Sequence, residues 1–262
     1  MRNREKTIYI FGAIILLAVL FFAFDTKPSS QKALEKSRVL NTQKFDIHTL
    51  QEQAKEGLSE EDIRYAETLE SQARFPGPDS AKIKILKELS GYWFQLRKPI
   101  LAGAYAEAVA ETEQTAESWS IAGTTFAAAL RNEVVSDEDR VKARDKAIEA
   151  FENAISLEPQ VIEHRVNQAL CYIETPDTAQ PMKGVQMLAA LATSHPESPL
   201  PPYHLARLAV QTGQMERAEE RIEQALALDS TNTRIACLAI DIYKAVNKTA
   251  EAEKLTQYCT TN

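Results

Sequence analysis

The chain has 262 residues, 44% of them hydrophobic and 26% charged, with a formal net charge of −7; this is enough apolar material for a sizeable core in one or two domains. The first six residues carry +2, which leaves −9 on the rest. That balance excludes nucleic acid as an expected partner. Only eight glycines occur, while Ala, Glu, Leu and Lys are abundant, so propensity favours an all-α fold.

Residues 1–6 hold Arg2, Arg4 and Lys6 with Glu5 the one acid, and residues 7–24 (TIYIFGAIILLAVLFFAF) follow without a charge. At 1.5 Å per residue this run is roughly 27 Å long, close to the apolar thickness of a bilayer. Its end, Leu20-Phe21-Phe22-Ala23-Phe24, lacks the A-x-A-like pattern of a cleavage site, so a retained single-pass anchor is expected over a removed signal peptide. The basic N-terminus points to the cytoplasmic side, although Lys27, Lys32, Lys36 and Arg38 beyond the span weaken the charge bias. On this reading the soluble part crosses the membrane and is periplasmic if the source is bacterial.

Residues 25–44 are polar, with Lys27-Pro28-Ser29-Ser30 at their start, and read as a tether. Residues 45–78 hold two short amphipathic helices. The second opens on Ser59-Glu60-Glu61-Asp62, a capping-box form, and Phe75-Pro76-Gly77-Pro78 stops it.

From residue 79 to 262 the chain repeats itself. Tyr92, Phe126, Tyr172, Ala209 and Tyr243 stand 34, 46, 37 and 34 apart. Tyr105, Phe151, Leu188, Ile222 and Thr256 form a second series with the same spacings in shifted order. Trp119-x2-Ala122-Gly123-x2-Phe126 and Ala147-x3-Phe151-x2-Ala154 with Pro159 are the two halves of one unit. On these residues the segment resembles the tetratricopeptide repeat family, with units at about 82–115, 116–161, 162–198, 199–232 and 233–262. The terminal units depart from the pattern, with Leu89 and Leu101 in the first and Ile240 and Thr256 in the last. The excess residues of the second unit, Arg131 to Arg144, read as a tolerated surface excursion that lengthens the second helix or adds a turn before it.

The resemblance implies a right-handed superhelical array whose first helices line a groove for a partner segment. Leu86, Trp93, Phe94, Val166, Leu170, Ile173, Tyr203 and Arg207 are the residues it places there. For Trp93 and Phe94 the alternative is packing against the helices before Pro78. The list is largely apolar and only Asn167 and Arg207 suit an acid clamp, so the expected ligand is an apolar or amphipathic protein segment.

No enzyme, metal or cofactor signature is present. His48, His164, His195 and His204 have no HExxH spacing, and the glycines are too far apart for a phosphate loop. Cys171, Cys237 and Cys259 form neither a CxxC pair nor an even set and read as small core residues. The expected function is a membrane-tethered adaptor or co-chaperone. The alternatives are a cytochrome c maturation accessory protein and a self-assembling structural subunit of an envelope complex, in which homo-oligomers would form. An organelle receptor facing the cytosol fits the same layout.

Overall fold

The computed structural model describes residues 47–74 and 78–259, all of which fall in one compact unit. The apolar run, the tether and the basic N-terminus lie outside the described residues. Among those described, no helix is long and apolar enough to cross a membrane.

Twelve α-helices follow one another in the described residues: α1 (Ile47–Lys55), α2 (Glu60–Arg74), α3 (Asp79–Gln95), α4 (Pro99–Glu113), α5 (Ala116–Ala127), α6 (Asp137–Leu157), α7 (Ile162–Glu174), α8 (Lys183–Ser194), α9 (Leu200–Gln211), α10 (Met215–Leu228), α11 (Thr233–Ala245) and α12 (Thr249–Leu255). Helices α3 to α12 pair in order as hairpins, and the first helices of successive hairpins touch, α5 against α7, α7 against α9 and α9 against α11. This is the all-α hairpin series that the tetratricopeptide resemblance implies. Local chemistry sets the boundaries. The Ser59 hydroxyl accepts from the Asp62 N–H at 3.1 Å. Thr115 and Ser118 form a reciprocal capping box, and Ser136 and Asn232 cap α6 and α11. Each cap satisfies amide groups that a helix start leaves without a partner. Pro99 starts α4 where no helical N–H is required.

The hairpins interlock through small residues. A Cβ on Gly103 would lie 2.5 Å from the Phe126 ring, and one on Gly123 would lie 2.8 Å from the Phe151 ring. Each aromatic ring therefore rests on bare backbone of the neighbouring helix, which explains why the sequence pairs a glycine with a phenylalanine on the next element. Phe126 and Phe151 are both fully buried, with Ala129, Ala143, Ala147 and Cys171 around them.

Helices α1 and α2 are fixed to the first hairpin by buried polar links. Gln51 Nε2 donates to Tyr105 Oη at 2.7 Å, and Tyr105 donates to Glu70 at 3.2 Å. Tyr92 donates to Asp62 at 2.7 Å. Burial holds the Glu70 carboxyl above its usual range and the Tyr105 hydroxyl far above its own. Trp93 lies in the same core with Ala54, Ala66, Leu69 and Leu89.

One expectation is corrected here. Cys237 and Cys259 are joined by a disulfide with Cα atoms 4.9 Å apart, and only Cys171 is a free buried thiol. An odd count concealed the pair because Cys237 lies on α11 and Cys259 beyond the end of α12, brought together by the turn after α11. The insertion between α5 and α6 both adds a turn and lengthens the helix, as its sequence leads one to expect. It begins with a 3-10 turn at Ala128–Arg131, and α6 is extended to 21 residues. Its remaining residues form a wall of the cleft described next.

Candidate functional site

The eight residues expected to line one groove do not share a surface. Leu86, Trp93 and Val166 are buried inside the packed helices and present nothing to a ligand. For Leu86 and Trp93 the physical reason is the added pair α1 and α2, packed in the same core over α3; Val166 is buried in the α7–α8 core. Phe94, one position on from Trp93, points the other way and is 50% exposed.

Leu170 and Ile173 are partly buried against the α7–α8 core. Tyr203 packs on the C-terminal core and meets the His204 ring edge-on at 4.9 Å. Arg207 lies 3.8 Å from Glu174, which also lies 3.9 Å from Arg131. One carboxylate thus answers two guanidinium groups, and such half-exposed pairs add little stability. Burial first, then Arg207 and Arg234, push the His204 ring down to about 4. Its neutral form is therefore favoured in the fold, whereas an unfolded histidine takes a proton near pH 6.5. Stability tied to neutral His204 is complete above that pH and is lost as pH falls towards 4. His204→Asn should flatten the fall in urea midpoint between about pH 6.5 and 4; an unaltered slope would show that His204 is not its source.

A separate concavity lies elsewhere. A cleft of about 1290 Å³ is bounded by α1, the α3–α4 turn, the start of α4 and the insertion after α5. Its apolar lining includes Leu50, Phe94, Ile100, Val134 and Val135. The wall made by the insertion is ordered locally: Asn132 Oδ1 accepts from the Val134 N–H at 3.0 Å, and the Asn132 carbonyl accepts from the Val135 N–H at 3.2 Å. This side-chain turn holds Val134 outward, 94% exposed. Across the cleft, Arg97 adopts a left-handed backbone, φ 59°, at the turn that delivers Lys98 to the start of α4.

Charges on the rim balance. Arg97, Lys98 and Arg131 line the cleft together with Glu56, Glu133 and Asp139. Lys98 Nζ reaches only the Glu56 carbonyl, at 3.5 Å. The arrangement supplies apolar contact area with a mixed polar rim, the anatomy of a protein-binding surface. Among the described residues no group of three or more His, Cys, Asp or Glu is placed to hold a metal ion. The sequence shows one wall of this cleft as Val134-Val135, an apolar pair inside an otherwise polar insertion, but not the segments it meets.

No protein-family model matches the chain, and no curated protein matches it. Matches among solved structures include three. MamA residues 41 to the end, from Desulfovibrio magneticus RS-1, is 15% identical with a TM-score of 0.40, over 68% of this chain and 92% of that one. PilW, described as a widely conserved type IV pilus biogenesis factor, is 15% identical with a TM-score of 0.35, over 66% and 90%. Yeast Tom70 is 13% identical with a TM-score of 0.42, over 95% and 66%. At these identities and scores none of the three lends this chain a function.

Proposed function

We propose that this chain is a protein-interaction scaffold held at a membrane by its N-terminal apolar run, and that its cleft seats an apolar or amphipathic segment of a protein partner. The observation that carries the reading is the pair Phe94 and Val134, both exposed and both lining the same cleft. Large apolar side chains held in water lose solvent contact on binding, worth about 25 cal/mol per Å² removed. Balanced charges among the lining residues argue for a segment with mixed or neutral flanks, since a strongly charged one of either sign would meet like charge in the cleft. The membrane attachment, the cytoplasmic N-terminus and the placement of the array beyond the membrane rest on the sequence of residues 1–24.

A photoreactive residue at position 94 of the full-length, membrane-inserted chain should crosslink a defined protein, while the same residue at Leu228, exposed but outside the cleft, should not. With that protein purified, Phe94→Ser with Val134→Ser should weaken binding by roughly tenfold or more, as loss of anchoring contacts does. Unchanged affinity in the double variant, with Tyr203→Ala weakening it instead, would move the site to the α7–α9 surface.

A further inference from the structure

The last hairpin is built differently from the others. Its second helix, α12, has seven residues, against 15 in α4, 21 in α6, 12 in α8 and 14 in α10. Only Ala252 of α12 is buried, with Leu255 partly so. A helix this short is marginal alone and depends on docking. Its partner α11 is the opposite: Ile235, Ala236, Ala239, Ile240, Ile242 and Tyr243 are all buried. A weakly anchored helix therefore closes the end of a strongly apolar one, and the Cys237–Cys259 bond joins α11 to the segment just beyond α12.

The remaining cysteine makes this bond unambiguous. Cys171 is 1% exposed, and burial pushes its thiol up to about 12, so it neither competes for a partner nor presents a thiolate. Cys237 and Cys259 are only half-buried, within reach of an external thiol.

We propose that the Cys237–Cys259 pair is a thiol–disulfide exchange site whose oxidation state decides whether α12 caps the array. In the reducing direction the co-reactant is a protein dithiol. Its thiolate attacks one sulfur, forming a mixed disulfide, and the other cysteine leaves as a thiolate that takes a proton. The second thiol of the reductant then displaces the first cysteine. Two electrons and two protons pass to the chain, and the dithiol ends as a disulfide. Oxidation is the reverse, with a disulfide acceptor. A pair of this kind persists on the oxidising side of a membrane and is opened in a reducing compartment, so the cap is closed only where the array is exported. This inference does not depend on the cleft.

The test uses the full-length chain in membranes, with free thiols alkylated at the moment of lysis. The expected outcome is no thiol blocked before unfolding, two blocked after mild dithiothreitol, and the third only on unfolding. Amide exchange at residues 249–258 should accelerate by about tenfold or more on reduction, and equally in Cys259→Ser, while α9 and α10 hold theirs. Cys237→Ser provides the same state from the other side of the bond. Failure of mild dithiothreitol to free the two thiols in the folded chain, or identical exchange of α12 in the oxidised and reduced chains, would overturn the proposal.

Discussion

Phe151→Ala should lower unfolding stability by about 3 to 5 kcal/mol, the range for removing a fully buried phenylalanine from a close-packed site. Its ring is 0% exposed and rests against the backbone of Gly123 on the facing helix. That contact makes a second, sharper expectation. A methyl group at position 123 would stand 2.8 Å from ring carbons of Phe151, so Gly123→Ala alone should cost about 1 to 3 kcal/mol by overpacking, despite the higher helix propensity of alanine. In the Phe151→Ala background the same methyl enters space the ring has left. Gly123→Ala should then be neutral or stabilising, giving a coupling of about 1 kcal/mol or more between the two positions. Urea denaturation of the four chains measures it. Simple additivity would show that the ring does not rest on Gly123.

This contact was legible before the structure, because Trp119-x2-Ala122-Gly123-x2-Phe126 and Ala147-x3-Phe151-x2-Ala154 state a small-against-large pairing in their spacing. The hairpins and their caps were legible for the same reason: Ser59, Ser136 and the repeat interval each act within a few residues or at a fixed period. The site was less so. Burial of Leu86, Trp93 and Val166 depends on what packs over each helix, and periodicity gives the apolar face without saying whether a neighbour or a ligand covers it. The cleft needed three separated segments, α1, the α3–α4 turn and the insertion, to meet. The disulfide needed the turn after α11 to bring Cys259 back onto Cys237. Neither meeting is written in any local pattern.

Trp93 and Phe94 test that distinction at adjacent positions. Trp93 is 0% exposed among Leu69, Leu86, Leu89 and Leu101, so Trp93→Ala should cost about 3 to 5 kcal/mol and loosen α1 and α2 along with α3. Its indole N–H is buried without an acceptor, a group whose desolvation is uncompensated. Trp93→Phe therefore loses ring volume but relieves an unpaired donor, and should cost markedly less than the alanine change. Phe94 is half-exposed on the cleft, so Phe94→Ala should cost about 1 kcal/mol or less in stability, far below its neighbour. The two side chains divide what the sequence left joined: one holds the N-terminal helices on the array, and the other is left exposed on the cleft. Comparable losses of stability at the two positions would mean that Phe94 is core as well, and would remove the anchor on which the cleft reading stands.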